Sequence, residues 1–386
     1  MPDPTAPEAL AGRVERALRE QTGLDLRVSA LTPLHGGACQ DNVALDVDLD
    51  GARHALVLRG DSPSSLPGSL GRRHEFAVVA AAAKAGVETP EPRWLVRGAL
   101  RDDAYAYCMP RLEGSAIGRV LVAEPTLAQA RADLPTRLAA NLARIHTITP
   151  DTDPDLPLPD LGRIRAEGAA AYAVSFVRTM LAGLPEPRPA LHLVLRWLEE
   201  SQPEVRELVL VHGDFRTGNF LVTPAGLTGI LDWEFAHWGS PADDLGWICV
   251  RDWRFGRLDH PVGGFAKRAE FYRAYERVSG RRLDRAALHW WEVLGNARWA
   301  AAAAWQGERY LSGEVPDFEL IAIGRRAAEM EWEALRLMEA GFLWGWVLGL
   351  ARRRRGWFWV AGVRGGWWGE GWFFYHGGTE ARRTWA

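Results

Sequence analysis

Three side chains stand at a spacing that can do chemistry. Asp214 and Asn219 are separated by four residues, and Asp232 follows thirteen residues after Asn219, at the end of the apolar run from Leu227 to Leu231. A carboxylate can orient an attacking hydroxyl, while an amide oxygen and a second carboxylate can hold a divalent cation. Little else is required of a protein that transfers a phosphoryl group, beyond cations around the phosphate. Arg216, two residues past Asp214, is the nearest such cation. A zinc hydrolase built on His212 and Asp214 is the competing chemistry, but it would want further histidine ligands nearby, and the segment has none.

The interval between Asp214 and Asn219 is that of the kinase catalytic loop, H-R-D-x-x-x-x-N. The longer stretch HGDFRTGNFLV, then GILDWE, then GSPADDLGW, resembles the aminoglycoside phosphotransferase/choline kinase superfamily. Its pattern is HGD-x4-N, a DWE-type strand and G-D-P-x-x-D-L. Within it the chain looks most like the bacterial branch related to the kinase-like domain fused to some acyl-CoA dehydrogenases. The resemblance covers roughly residues 25 to 340, and its specific motifs occupy about 40 of them. It implies an α+β, bilobal, protein-kinase-like fold: a small antiparallel β-sheet lobe followed by a mainly helical lobe.

The same resemblance implies the roles. Asp214 is the catalytic base, with Asn219 and Asp232 as Mg²⁺ ligands. His212 supports the loop and Asp244 braces it, while Arg216, where protein kinases often have a lysine, contacts the γ-phosphate, with a solvated loop arginine as the alternative. Ser240 departs from the family, which has Asp there. Glu234 is a further carboxylate for the metal side or the acceptor pocket, with a purely structural role as the alternative. The co-substrate is ATP or GTP.

These residues need elements to hold them. Leu10, Val14, Ala17 and Leu18 recur at helical spacing and Gly23 follows as a stop. Val43, Leu45, Val47 and Leu49 alternate as a strand, Asp50-Gly51 supplies a hairpin turn, and RHALVLR returns. A helix is expected from Arg72 to Ala85, then short strands at WLV and AYAYCM, giving a sheet of about five strands ending near Pro110. In the loop before Val43, Gly36 and Gly37 could bring backbone N–H groups over phosphates, with a plain hairpin loop as the rival. Arg59 ends the third strand where the kinase pattern V-A-I-K has its lysine. Its expected partner is Glu75 on the next helix. Tyr107 and Met109 take the hinge, beside an adenine. Beyond Pro110 the pattern is helical, as at Thr136–His146 and from Phe271 to Val278 before Gly280, interrupted by the apolar runs LVLV, FLV and LTGIL. The domains are therefore 1–110, nucleotide-binding; 111–340, catalytic loop and acceptor site; and 341–386, a tail outside the fold.

Composition limits the partners. The chain has 386 residues and a formal net charge of -3, which gives no general field for nucleic acid or anionic membrane. Lysine occurs only at 84 and 267, so arginine supplies nearly all of the 46 basic side chains. The start lacks the pattern of a signal peptide, no uncharged apolar run is long enough to span a bilayer, and Cys39, Cys108 and Cys249 are far apart. The cytoplasm is the expected location. Residues 341–378 of the tail hold seven tryptophans of 19 in a Gly- and Arg-rich stretch without helical or strand period. Membrane contact is expected only if that tail is functional.

The acceptor pocket is expected after Asp244, where WICVRDWRFGRLDHPVGGF offers Arg251, Trp253 and Arg254 as wall residues and only Asp252 and Asp259 as acids. A polycationic aminoglycoside would need clustered carboxylates to pair its ammonium groups. The favoured acceptor is a small hydroxylated, anionic metabolite, with a hydroxy acid or hydroxyacyl thioester suggested by the resemblance. An aminoglycoside- or choline-type phosphotransferase and an inactive kinase-fold binding protein are the alternatives. A protein kinase is disfavoured, because G-x-G-x-x-G-x-V and A-P-E elements are missing.

Overall fold

A computed structural model of the chain describes residues 7–34, 41–62 and 66–350, together with two two-residue strands further on. The chain opens with helix α1 (Pro7–Thr22), which buries Val14, Ala17 and Leu18 and stops at Gly23, where φ is 72°. Strands β1 (Leu26–Pro33), β2 (Asp41–Leu49) and β3 (Ala52–Gly60) follow. Asp50 and Gly51 join β2 to β3 with φ of 52° and 76°. Both are left-handed, as the tight hairpin turn that matches strand twist requires. Helix α2 (Arg72–Lys84) crosses next, then β4 (Arg93–Arg97) and β5 (Tyr105–Pro110). All pairs are antiparallel, in the order β1-β2-β3-β5-β4. Leu45, Leu56, Leu58, Val96 and Cys108 bury one face of this sheet against α1. The five-stranded sheet with its helix agrees with the sequence. Gly36 and Gly37 lie outside the described residues.

The remainder is mainly helical: α3 (Gly118–Ala123), α4 (Ala128–Ile145), α5 (Leu161–Glu167), α6 (Ala169–Ala182) and α7 (Pro189–Glu200). Four short strands then interrupt, β6 (Val209–Val211), β7 (Phe220–Thr223), β8 (Gly226–Ile230) and β9 (His237–Gly239). They are the apolar runs of the sequence plus one it did not reveal, and they pair as β6 with β9 and β7 with β8. Helices α8 (Pro241–Trp247), α9 (Arg268–Ser279), α10 (Arg285–Leu311), α11 (Phe318–Gly324) and α12 (Ala327–Leu350) complete the lobe. Ser240 caps α8 through its side chain, accepting from the Ala242 N–H at 3.3 Å, so serine does here what a small oxygen acceptor does at any helix start.

The 27-residue α10 runs through the lobe with residues buried along most of its length, a helix apolar on several sides because α7, α8, α11 and α12 all pack on it. Helix α12 continues to Leu350, past the boundary expected near residue 340. Met330, Ala334 and Leu337 anchor its first half in the core. Beyond it, Trp357–Phe358 (β10) pairs with Tyr375–His376 (β11). The rest of the expected tail lies outside the described residues. Among those described, no helix is long and apolar enough to cross a membrane.

Candidate active site

β6 delivers the chain into His212, Gly213 and Asp214, and the loop is fixed by buried bonds rather than by its own turn. Gly213 has φ of 79°, and a Cβ there would stand 2.1 Å from the Phe235 carbonyl oxygen, so only glycine fits. His212 is fully buried. Its Nδ1 accepts the Asp214 N–H at 3.2 Å, so the proton sits on Nε2, which reaches the Leu231 carbonyl at 3.1 Å. Burial holds its pKa below the usual value, which keeps the ring neutral at neutral pH. His212 thus links the Asp214 loop to the residue just before Asp232.

Asp244 braces the same loop from below. Its carboxylate accepts the backbone N–H groups of His212 at 2.8 Å and Gly213 at 3.0 Å, and meets His146 Nε2 at 3.3 Å. Burial alone would raise its pKa, but these bonds outweigh it and hold the carboxyl below its usual value. His146 in turn contacts the Tyr275 hydroxyl at 2.7 Å.

The Asp214 carboxylate is held by three side chains. Arg216 Nε donates to both oxygens at 2.9 and 3.0 Å, Asn219 Nδ2 to Oδ2 at 2.7 Å, and Trp247 Nε1 to Oδ1 at 2.8 Å. Arg216 also lies over the Trp253 ring, 4.4 Å from its centroid. In this structure, therefore, Arg216 pairs with Asp214 rather than standing apart from it.

Across the cleft, Arg59 joins the two lobes. Its Nε and Nη2 grip Glu75 on α2 at 2.8 to 3.1 Å, and Nη2 also reaches Asp232 Oδ1 at 2.6 Å. Asp232 follows β8 with φ of 71°, a left-handed conformation that costs energy in a non-glycine residue and turns the carboxylate into the cleft. Glu234 is buried, accepts from Ser69 Oγ at 2.7 Å and Arg72 Nη2 at 3.2 Å, and takes the Leu70 N–H on its carbonyl at 2.7 Å. Burial and the neighbouring Asp232 push its pKa up to about 7. It ties the lobes together at the edge of the cleft.

Arg59, Asp214, Arg216, Asn219, Asp232 and Glu234 line one cleft of about 820 Å³. Tyr107 and Met109 do not: Tyr107 is buried in β5 opposite Arg59, its ring edge-on to Phe76, and Met109 pairs with Val57. The expected acceptor wall is also elsewhere. Arg254 is buried and bonded to the Cys249 carbonyl, Glu292 and Glu333, while Arg251 lies on Trp332 beside Glu333. Trp253 packs between Trp247 and Trp299. A buried guanidinium must be paired, and the two glutamates from α10 and α12 take these arginines out of the cleft. The cleft is walled instead by α6 and α10, with Tyr172, Phe176, Met180, Arg298, Trp299 and Trp305. Nothing near the motifs signals them, because they lie on helices far from Asp214 in sequence.

The donor chemistry at Asn219 and Asp232 is all oxygen: one amide and one carboxylate. Among the described residues no group of three or more His, Cys, Asp or Glu could hold a metal by itself. Such a pair fits Mg²⁺, which keeps waters and binds through one or two carboxylates together with substrate phosphates.

Residues 30–281 match the model of the phosphotransferase enzyme family. Curated relatives include mouse acyl-CoA dehydrogenase family member 10, 27% identical over 208 residues, which span 52% of this chain and 18% of that protein. Rat family member 11 is 28% identical over 199 residues, 50% of this chain and 24% of that one. The chain thus corresponds to about a fifth to a quarter of these relatives. Among solved structures, a putative aminoglycoside phosphotransferase from Ralstonia eutropha superposes with a TM-score of 0.64 at 19% identity, over 85% of this chain and 98% of that one. A choline/ethanolamine kinase family protein from Mesorhizobium loti gives 0.55 at 19%, over 86% and 95%. At such identities the likeness shows the fold, which is the bilobal kinase-like one. With well over half its length matched by the family model, the chain belongs to the phosphotransferase enzyme family.

Proposed function

We propose that the protein is a small-molecule kinase that transfers the γ-phosphoryl group of ATP or GTP to a hydroxyl of a small metabolite. The observation that carries this reading is the single cleft in which Asp214, Asn219, Asp232 and Arg59 meet. Asp214 accepts the proton of the acceptor hydroxyl as its oxygen bonds to the γ-phosphorus. The bond from that phosphorus to the bridging oxygen breaks, and the nucleoside diphosphate leaves. Asn219 and Asp232 would hold Mg²⁺, which offsets phosphate charge when bound. Arg59, steadied by Glu75, lies on the phosphate side, and Arg216 is within reach of Asp214 to follow the charge as it moves. His212 and Asp244 keep the loop in register. Among the structural neighbours, a spectinomycin phosphotransferase was crystallised with ADP and spectinomycin, which supports a nucleotide in the equivalent cleft.

The acceptor side favours a hydroxylated molecule with an apolar body and an anionic group. Aromatic and aliphatic side chains of α6 and α10 would cover the body, and Arg298, itself paired with Asp243, stands among them. A hydroxy acid or a hydroxyacyl thioester meets that description, and the relatives named as acyl-CoA dehydrogenases point the same way. The acids there suit a polycation poorly. Asp160 accepts from the Tyr172 hydroxyl at 2.7 Å, and Asp243 pairs with His237 and Arg298, leaving Glu319 among the described residues. The test is ADP formation from MgATP with hydroxy acids and hydroxyacyl thioesters set against kanamycin and choline. Turnover of the first group supports the reading. Kanamycin or choline turning over at least as fast as any hydroxy acid overturns the acceptor assignment.

A further inference from the structure

Trp247 ends α8, is 5% exposed, and donates its indole N–H to Asp214 Oδ1 at 2.8 Å. Arg298 of α10 lies over that indole, with 3.8 Å from its guanidinium carbon to the ring centroid. The same guanidinium donates to the Gly213 carbonyl at 3.2 Å and pairs with Asp243 at 3.4 Å. Arg298 therefore ties the indole to the backbone of the residue just before Asp214. Resting on the phosphotransfer reading above, we propose that Trp247 is a positioning residue for Asp214, braced by Arg298, and that it sets which carboxylate oxygen faces the acceptor hydroxyl.

The reason lies in how a carboxylate is held. The terminal torsion of an aspartate is broad and nearly two-fold, so its two oxygens exchange places easily unless different donors mark them. Arg216 does not mark them, since its Nε sits at 2.9 and 3.0 Å from the two oxygens. Asn219 takes Oδ2 and Trp247 takes Oδ1, which together fix the plane. Arg216 is also the more exposed of the holders: its side chain is 23% exposed and cationic, and a phosphate would compete for it. The indole is buried and neutral, so it has no such competitor. It orients the carboxylate without adding a full positive charge, leaving the base its negative charge for the incoming proton.

The experiment is steady-state ADP formation from MgATP with a fixed pool of hydroxylated metabolites, for Trp247→Phe, Asp214→Asn and the double variant. Phenylalanine keeps a ring beneath Arg298 and removes the donor. The expected result is a kcat lower by about tenfold or more, with the KM for MgATP within about twofold of wild type. In the Asp214→Asn background the same substitution then changes nothing further, because Trp247 acts only through that carboxylate. A Trp247→Phe rate within about twofold of wild type overturns the proposal, as does an equal loss in both backgrounds. Should Trp247→Phe not fold, Arg298→Lys, which keeps the charge and loses the stacked plane, is run through the same cycle. It is expected to lower kcat only where Asp214 is present, and a wild-type rate overturns the proposal. Full activity of Asp214→Asn alone would instead remove the phosphotransfer reading, so the two failures are distinguishable.

Discussion

Arg59 Nη2 lies 2.6 Å from Asp232 Oδ1, joining the third strand of the small lobe to the carboxylate that follows β8 in the large one. The same guanidinium grips Glu75, so one planar side chain holds two carboxylates at once. A lysine has a point charge and cannot match two carboxylates with one rigid fork. Arg59→Lys is therefore expected to fold and to weaken MgADP binding by about tenfold, read by calorimetry. Arg59→Met removes one partner of a buried pair and is expected to cost about 3 kcal/mol in stability, read by denaturant unfolding. Unchanged MgADP affinity in the lysine variant would contradict the role given to Arg59.

Asn219 places an N–H donor on Asp214 Oδ2 and on the Asp214 carbonyl, at 2.7 and 2.9 Å. Replacing it by aspartate sets a second carboxylate against the first where a donor is needed. Asn219→Asp is expected to retain its circular dichroism and lose ADP formation by about a hundredfold or more. A variant with wild-type turnover would show that Asn219 has no part in the site.

Asp244 carries a pH signature. Its carboxyl is held below its usual value, so in the unfolded chain it binds a proton more readily than in the native one. The stability it contributes is full above the unfolded value near 3.8 and is lost as pH falls through the lower native value. Asp244→Asn is expected to melt well below wild type at about pH 6, with the gap narrowing as pH drops below about 4. Thermal midpoints measured across that range check it. A gap independent of pH would mean that the contribution of Asp244 is not ionic.

Truncation separates the C-terminal segments. Ending the chain after Leu350 keeps α12 and its anchors Met330, Ala334 and Leu337, and ADP formation is expected to persist. Ending it before Ala327 exposes the face of α10 that α12 covers, and loss of soluble protein is expected. Lost turnover in a folded 1–350 protein would give the last residues a catalytic part.

The sequence carried the Asp214 half of the candidate site because that half is local. Asp214, Arg216 and Asn219 sit on one short loop, and Asp232 follows after one hairpin, so spacing along the chain translates directly into proximity. Arg59 and Glu75 were legible through the kinase pattern, which puts a cation at the end of the third strand and its glutamate on the next helix, and the ion pair is present. The α6 and α10 wall of the cleft was not legible. Arg251 and Arg254 look available in the sequence, yet Glu292 and Glu333, on helices distant in the chain, draw them into buried pairs. Trp247 and Arg298 meet Asp214 and Gly213 only through the packing of α8 on α10, which no local pattern encodes. Helix α12 passed the expected boundary because Gly341 and Gly345 are tolerated inside a helix whose first half is already anchored.

The central claim is that Asp214 takes the proton in a phosphoryl transfer from MgATP to a hydroxyl. Its most direct measure is ADP formation by wild type and by Asp214→Asn, side by side, with and without pooled hydroxylated metabolites. The account predicts acceptor-dependent ADP formation by wild type and a loss of about a thousandfold in the variant, with MgATP still bound. Equal ADP formation by the two proteins would contradict it.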